Sequence, residues 1–210
     1  MGLIAVIDYD MGNLHSVCKG IEKVGGQPIV TDSPQTLAQA AGVVLPGVGS
    51  FDPAIQHLRS RDLIAPIQDL IAAGKPFLGI CLGLQILFEG SEEGQEAGLG
   101  VIPGRVRRFR SEPGLTIPHM GWNSLALTQP QHPLWQGLPP DPSVYFVHSY
   151  YVDPSDSGVI AATVTHGQQT VTAAIAQENL AAVQFHPEKS STLGLQILAN
   201  FVKPLVGLAP

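Results

Sequence analysis

The chain has 210 residues, the size of one ordinary domain, and 44% of them are hydrophobic while only 13% are charged. Such a composition can bury a core, which excludes a disordered chain. A net charge of −6 argues against nucleic acid as the main partner, and no apolar run is long enough to cross a membrane. With two cysteines and no signal-peptide pattern, we expect a cytoplasmic protein without a disulfide framework.

The first half of the chain alternates short apolar runs with helical patterns. We predict strands at 3–7, 27–31, 42–45 and 77–80. The predicted helices follow the capping residues Asn13 and Ser33, and two more cover 62–73 and 82–88. Strand–helix alternation of this kind is typical of a parallel sheet with helices on both faces.

The second half of the chain is rich in short β-type segments separated by Pro, Gly and Asp. These predicted strands lie at 101–102, 106–109, 124–127, 144–147, 159–164, 170–176 and 181–185, before a closing helix at 193–202. With no repeat or linker between the halves, we expect a single domain over 1–210. Its fold class is α/β, with a mixed, largely parallel central sheet flanked by helices and a β-rich C-terminal half.

The most informative segment is Gly-Ile-Cys-Leu-Gly at residues 79–83. It has the form of a nucleophile elbow and lies between a predicted strand and a predicted helix. A sharp turn there would lift the Cys81 sulfur out of the sheet and set it at a helix N-terminus, where the helix dipole and free backbone N–H groups favour a thiolate. The alternative is a buried cysteine between packing glycines. Cys18 lies on the apolar stripe of the first helix, where we expect a small buried hydrophobic residue.

A cysteine nucleophile needs a base, and His186 is the best placed of the seven histidines. It follows an apolar run, and Glu188 lies two residues further on. In extended backbone, residues i and i+2 project to the same face, so a carboxylate there could orient the imidazole ring. The alternative is an ordinary His-Pro-Glu turn after a strand.

A glycine-rich loop, Pro-Gly-Val-Gly at residues 46–49, follows the third predicted strand. Its backbone N–H groups could turn toward an oxyanion, although a plain strand-to-helix turn fits the same residues. The loop lacks the lysine and the Ser/Thr of a phosphate-binding P-loop. The chain also lacks a dinucleotide fingerprint and a zinc-ligand spacing, so we expect no cofactor and no metal.

The elbow, the loop at 46–49 and the His-Pro-Glu segment together resemble the triad (class I) glutamine amidotransferase family over essentially the whole chain. The resemblance implies hydrolysis of glutamine by Cys81, His186 and Glu188. It also implies two groups of binding residues. The expected oxyanion donors are Val48, Gly49 and Leu82, and the expected glutamine-binding residues are Gly49, Gln85, His148, Ser149 and Tyr150. One departure is Asp10, where the family usually carries glycine, and Asp tolerates a left-handed backbone.

Further segments, at 8–13, 118–123, 145–151 and 186–190, resemble those of the glutaminase subunits of imidazole glycerol phosphate synthase. That resemblance implies a heterodimer with a (β/α)₈-barrel cyclase subunit, which receives the ammonia. The residues expected at the interface are Asn13, His119, Met120, Trp122, Asn123 and Lys189. For Trp122 a place in the core remains open. The basic run at 105–110 is predicted to form a solvated strand face, with a partner contact as the alternative.

Three other functions remain open from the sequence. The chain could serve a different acceptor, for example in a pyridoxal phosphate synthase. It could be a cysteine peptidase-like hydrolase on a similar sheet, or a partner-binding module without activity. The presence of Cys81, His186 and Glu188 together argues against the last of these.

Overall fold

The computed structural model describes residues 2–207. The strands of this range, numbered in chain order, are β1 (Leu3–Ile7), β2 (Gln27–Thr31), β3 (Gly42–Gly47), β4 (Phe77–Cys81), β5 (Gly104–Arg108), β6 (His119–Ser124), β7 (Ala126–Leu127), β8 (Ser143–His148), β9 (Tyr150–Pro154), β10 (Ile160–His166), β11 (Gln169–Gln177) and β12 (Leu180–Val183). The α-helices are α1 (Leu14–Lys23), α2 (Pro34–Gln39), α3 (Phe51–Ser60), α4 (Ile64–Ala72), α5 (Leu82–Gln85) and α6 (Ser191–Val206).

Local sequence signals determine where the first helices begin. The Asn13 side chain accepts a hydrogen bond from the backbone N–H of Ser16 at the start of α1. At the start of α2, the Ser33 hydroxyl accepts one from the N–H of Thr36, and Pro34 occupies the first helical position. Both caps therefore act as the sequence predicts, because they satisfy N–H groups that have no partner inside the helix.

The main sheet has ten strands and is mixed, which confirms the predicted fold class. Strands β2, β1, β3, β4 and β12 run parallel in that order. From β12 onward the sheet continues antiparallel through β11, β10 and β7, while β9 pairs with both β11 and β5. A separate antiparallel ladder joins β6 to β8.

The sheet is buried on both faces, and the alternation of side chains along β1 shows how. Ile4 and Val6 belong to a core cluster shared with α1, α6 and β8. Ala5 and Ile7 belong to the opposite cluster, which α2, α3 and α4 cover. Strands buried on both faces read as continuous apolar runs rather than alternating ones, which is why Leu3–Ile7 looks uniformly hydrophobic in the sequence.

Several predicted elements differ from the structure. Helix α3 was not predicted, and no side-chain cap marks its start at Ser50. The helix predicted at 82–88 ends at Gln85, because Phe88 forms a bridge with Ile102 instead of continuing the helix. That isolated bridge is all that forms at 101–102, so the strand predicted there is wrong. Strand β9 and the first part of β6 were missed, since their polar and aromatic residues do not alternate clearly.

The topology brings the candidate chemistry to one edge of the sheet. Cys81 ends β4, the loop at 46–49 overlaps the end of β3, and His186 lies shortly after β12. Since β3, β4 and β12 are parallel neighbours, these segments lie side by side at the carboxyl ends of the strands. Open α/β sheets place their binding sites at this edge. Across residues 2–207, no helix is long and apolar enough to cross a membrane.

Candidate active site

Cys81 lies in a backbone conformation that few residues adopt, with φ at 55° and ψ at −109°. The glycines on either side make this turn possible. A Cβ on Gly79 would come within 2.9 Å of the Ala182 Cβ, and a Cβ on Gly83 would collide with the carbonyl oxygen of Leu45. The elbow thus needs glycine at both positions because the strand, the turn and the neighbouring strands meet too closely for any side chain.

The turn leads into a single helical turn, α5, rather than a long helix. A helix of this length has only a small dipole, so the expected contribution of a helix dipole to a Cys81 thiolate is not supported. The stabilisation of a negative charge at this site then depends on individual backbone N–H groups. Leu82 is the first residue of α5, and a backbone N–H at that position has no partner within the helix. Such an N–H is suited to hold a negative charge that develops beside the sulfur.

His186 joins the two other members of the expected triad. Its Nδ1 lies 2.8 Å from Oε1 of Glu188, and the ring lines the same cavity as Cys81, close enough for the two side chains to interact. The Glu188 carboxylate reaches the ring through a short 3₁₀ turn at Pro187–Lys189, and not through the extended backbone that the sequence suggested. With Nδ1 held by Glu188, Nε2 is the ring nitrogen that is left to exchange a proton with a reacting group.

The environment of His186 favours its protonated form. Burial lowers the pKa of the imidazole, but hydrogen bonds and charge interactions with Cys81 and Glu188 outweigh it and raise the pKa to about 9. The side chain of Glu188 is fully buried, and its Oε2 has no hydrogen-bond partner among the described residues. A buried carboxylate with one free oxygen is costly, and a positive charge on His186 offsets that cost.

A cavity of about 340 Å³ opens onto Cys81, a volume suited to a small polar molecule. Its lining residues come from the ends of β4 and β8, helix α5, the start of β9 and the loops beside these elements. They are Val48, Gly49, Cys81, Leu82, Gln85, Glu93, Pro118, Val147, His148, Ser149, Tyr150 and His186. All the residues expected to bind glutamine are therefore in one place, together with the expected oxyanion donors. A second cavity, beside residues 177–180, contains none of them.

One expected oxyanion donor is already engaged. The backbone N–H of Val48 donates to the carbonyl oxygen of Met11 at 2.8 Å, so in this conformation it does not serve an oxyanion. The next residue, Gly49, has a φ of 101°, and a Cβ there would lie 2.9 Å from the Met11 side chain. The loop beyond β3 is thus held against the segment that follows β1. For Val48, the expected role requires this hydrogen bond to break.

The segment that holds Val48 includes the one residue that departs from the family pattern. Asp10 has a φ of 64°, the left-handed conformation that glycine would adopt most easily. Its carboxylate forms an ion pair with Arg61, and the ring of His57 lies 3.7 Å away. An aspartate at this position therefore ties the loop before α1 to the end of α3.

The residues expected at a partner interface are mostly at the surface. Met120 is 62% exposed and Trp122 is 56% exposed, so the alternative place for Trp122 in the core is wrong. Lys189 is exposed, while Asn13 and Asn123 are half-buried. His119 is different, because it is only 3% exposed and its ring bonds to His148. The His119 ring thus packs inside the chain at the β6–β8 ladder, and an interface role for this residue stays a prediction.

The basic run at 105–110 forms a solvated strand face, as predicted. Along β5 the arginines alternate with the buried Val106, and Arg107 pairs with Glu92 and Asp153. These exposed pairs add little to stability. Nothing in these contacts calls for a partner at this face.

Gln184 is a residue of the site that the sequence reasoning missed. It is completely buried, and its Nε2 donates to the Cys81 sulfur at 3.7 Å. Its Oε1 accepts a hydrogen bond from Gln85 at 3.0 Å. The available signal was a polar residue in an otherwise apolar run, two positions before His186. Tyr9, also buried, has no partner for its hydroxyl among residues 2–207, and burial together with Cys81 raises the pKa of that hydroxyl.

A cysteine at a strand-to-helix elbow, a histidine that contacts it and a buried glutamate behind the histidine define a thiol hydrolase on an α/β sheet. The family model for class-I glutamine amidotransferases matches residues 5–205. The chain therefore belongs to the class I glutamine amidotransferase family.

Three relatives are similar to this chain over nearly its full length. A protein of Microcystis aeruginosa is 75% identical over 209 residues, covering 100% of this chain and 99% of that one. Proteins of Acaryochloris marina and Synechocystis sp. are 73% and 70% identical, and each comparison covers 97% of this chain and at least 95% of the relative. All three carry the name imidazole glycerol phosphate synthase subunit HisH.

Solved structures resemble the fold at much lower identity. A glutamine amidotransferase crystal structure superposes with a TM-score of 0.74 at 18% identity, covering 99% of this chain and 100% of the other. The PurLQS structure from Thermotoga maritima gives 0.73 at 18% identity, with 99% of both chains covered. At this identity the similarity shows the fold alone.

Proposed function

We propose that this chain is the glutaminase subunit of an imidazole glycerol phosphate synthase, in which residues 1–210 act as one domain. It hydrolyses glutamine and passes the ammonia to a (β/α)₈-barrel cyclase subunit. The cyclase joins it to a phosphorylated ribulosyl aminoimidazole carboxamide and forms imidazole glycerol phosphate and aminoimidazole carboxamide ribotide, a step of histidine biosynthesis in the cytoplasm. The names of relatives that are 70–75% identical over nearly the whole chain support this choice over another synthase.

The observation that carries the proposal is the position of His186 between Cys81 and Glu188, at the wall of a cavity of about 340 Å³. Thiolate and imidazolium form together in such a pair, because each charge stabilises the other. The thiolate of Cys81 is then present without a separate base. The proton lost by the thiol is on His186, which later donates it to the leaving nitrogen.

In the first half of the reaction, the Cys81 sulfur attacks the side-chain carboxamide carbon of glutamine. The carbonyl oxygen becomes an oxyanion, which the N–H of Leu82 and an N–H of the loop at 46–49 stabilise. The carbon–nitrogen bond then breaks as His186 gives its proton to the leaving nitrogen. Ammonia departs, and a γ-glutamyl thioester remains on Cys81.

In the second half, His186 is neutral and takes a proton from a water molecule. The resulting hydroxide attacks the thioester carbon, and the second oxyanion occupies the same N–H groups. When the carbon–sulfur bond breaks, glutamate leaves and the sulfur returns as a thiolate beside the protonated His186. Glu188 holds the ring through Nδ1 in both halves, so that Nε2 always faces the reacting atoms.

The loop at 46–49 gives a physical reason for control by a partner. Its Val48 N–H is bonded to Met11, and the Val48 side chain is 39% exposed at the rim of the cavity. Contact of a partner with this rim can compensate for the broken hydrogen bond, which in isolation costs about 1 kcal/mol. We therefore expect the isolated chain to be a poor glutaminase.

The surface of β6 is the place where such a partner would dock. Met120 and Trp122 are large, apolar and exposed, a combination that is enriched at protein interfaces. In the β6–β8 ladder, Met120 is paired with Val147, which lines the cavity. Docking at this strand would place the partner beside the site where ammonia forms. Because ammonia in neutral water is mostly ammonium, a poor nucleophile, this proximity is needed for transfer.

The test is reconstitution with the cyclase subunit from the same genome. The chain and the cyclase are mixed with glutamine and the phosphorylated ribulosyl acceptor, and imidazole glycerol phosphate is measured. We expect product only when both proteins are present. A matched control replaces the cyclase with the synthase subunit of a pyridoxal phosphate synthase. Activation by that control, with none by the cyclase, would assign the chain to the other pathway.

A further inference from the structure

His148 lines the cavity, yet both of its ring nitrogens are occupied by the protein. Nδ1 lies 2.8 Å from the carbonyl oxygen of Tyr150, and Nε2 lies 2.9 Å from Nδ1 of His119. A carbonyl oxygen only accepts hydrogen bonds, so the proton of a neutral His148 must be on Nδ1. Its Nε2 then accepts, and His119 must donate from Nδ1.

The hydrogen bonds of His119 fix its tautomer in the same way. The Asn123 Nδ2 group donates to the carbonyl oxygen of Thr165 at 2.9 Å and lies 3.1 Å from Nε2 of His119. His119 Nε2 therefore accepts, which agrees with a proton on Nδ1. Burial lowers the pKa of His148 to about 3 and that of His119 to about 4, so both rings are neutral near pH 7. One tautomer satisfies every partner of each ring.

Beyond Tyr150, the series of hydrogen bonds continues to the sulfur of Cys81. The Tyr150 carbonyl also accepts from Gln85 Nε2 at 3.2 Å, and Gln85 donates in turn to Gln184, which contacts the Cys81 sulfur. The direction of donation reverses at Tyr150, whose carbonyl accepts from His148 on one side and from Gln85 on the other. The hydrogen bonds nevertheless connect strand β6 to the Cys81 sulfur without a gap.

We propose that His119 is a positioning residue of the glutaminase site, which holds His148 in one tautomer and thereby orients the Tyr150 carbonyl and the amides beyond it. The inference rests on the proposed function, because it assigns the role within glutamine hydrolysis. His119 does not touch the substrate cavity itself. Its neighbours on β6, Met120 and Trp122, are exposed. A partner that docks on them would contact the strand from which this series of hydrogen bonds leads to the cavity.

A pair of substitutions separates positioning from packing. The His119 ring stacks on Phe146 at 4.7 Å and on His166 at 4.3 Å, so His119→Phe keeps the ring contacts but removes the hydrogen-bond donor. His119→Asn keeps a donor near the position of Nδ1 but loses the ring. For glutamine hydrolysis by the complex with the cyclase, we expect His119→Phe to lower kcat by roughly tenfold to 100-fold, and His119→Asn to remain within about threefold of wild type. KM should change less than kcat in both.

His166→Phe is the matched control. His166 stacks on His119, but its Nε2 pairs with the Thr116 carbonyl and not with His148. We expect unchanged kcat for this variant. Equal losses in the two His119 variants, or a larger loss for asparagine, would mean that the ring acts by packing and would overturn the proposal.

Nitrogen NMR of the His148 ring in the wild-type protein needs no variant and no turnover. The proposal predicts the neutral Nδ1–H tautomer at pH 7, and the Nε2–H form or a charged ring would overturn it. If the wild-type complex hydrolyses no glutamine, the proposed function fails, and the NMR result still decides the tautomer assignment on its own.

Discussion

The triad and the loop at 46–49 form two sides of one cavity, but they differ in how ready they are for catalysis. On the triad side, the side chains of Cys81, His186 and Glu188 are buried, and the His186 ring, which interacts with Cys81, is hydrogen-bonded to Glu188. On the loop side, Val48 is exposed and its N–H is bonded to Met11 instead of pointing at the site of the oxyanion.

The difference follows from what holds each side. The elbow is fixed by packing, because strands on both sides leave no room for a side chain at Gly79 or Gly83. In the loop, Pro46 and Gly47 still pair with β4, whereas Val48 is held by its backbone hydrogen bond to Met11 and by the Asp10–Arg61 ion pair behind that segment, contacts that are each worth about 1 kcal/mol or less. A site built in this way keeps its nucleophile in place and leaves oxyanion stabilisation open to a partner.

Loss of the nucleophile should have the largest effect. We expect Cys81→Ala to lower glutamine hydrolysis by at least about 10⁴-fold, while the melting temperature changes little, since one sulfur at a turn contributes little packing. The same variant in complex with the cyclase should still form product from added ammonium. Cys18→Ala, which changes the half-buried cysteine on α1, is the control and should retain activity. A Cys81→Ala protein that does not fold would favour a structural role for this residue.

Glu188→Gln should have the next largest effect, because the amide no longer fixes the ring orientation and the charge of His186. We expect a loss on the order of 10³-fold in kcat. The wild-type pKa of about 9 lies above that of an unfolded histidine, so the stability gained from protonated His186 is complete below about pH 6.5 and is lost as pH rises through 9.

Glu188→Gln removes part of that gain. Its deficit in unfolding free energy, measured with denaturant at several pH values, should therefore be larger at pH 6 than at pH 10. A deficit that does not change with pH would contradict a charged His186 in the folded protein.

Asp10→Gly should have the smallest effect, and it acts on the loop side only. Glycine fits the left-handed backbone at this position, and the change removes the ion pair with Arg61. Because that pair is exposed, we expect less than about 1 kcal/mol of lost stability and a rise of up to about fivefold in glutamine turnover without a partner. Glu22→Ala, which breaks the exposed Lys19–Glu22 pair on α1, should leave turnover unchanged. An equal rise in both variants would show that the loop is not tied through Asp10.

Much of this fold could be predicted from the sequence, because some residue types have a single structural role at their positions. The glycines of the elbow, the caps Asn13 and Ser33 and the apolar runs of β1, β3 and β4 all indicate their structures directly. Within the site, the pairing of His186 with Glu188 follows from their spacing, even though the turn between them is a 3₁₀ helix.

The features that sequence reasoning missed depend on distant parts of the chain. Gln184 contacts Cys81 only because β12 pairs with β4, and the residue looks like an irregularity in an apolar run. His119 is buried because β6 pairs with β8, which places it opposite His148. The hydrogen bond between Val48 and Met11 joins two loops that local propensity leaves unspecified. Long-range pairing determines all three.

The most direct test of this account measures glutamine turnover of the wild-type chain alone and after addition of the cyclase and its acceptor. An assembled triad beside an oxyanion donor that is engaged elsewhere predicts slower turnover alone and an increase of about fivefold to tenfold in the full complex, because freeing the Val48 N–H from Met11 costs the isolated chain about 1 kcal/mol. Full turnover by the isolated chain, with no increase in the complex, would contradict the claim that the loop at 46–49 awaits a partner.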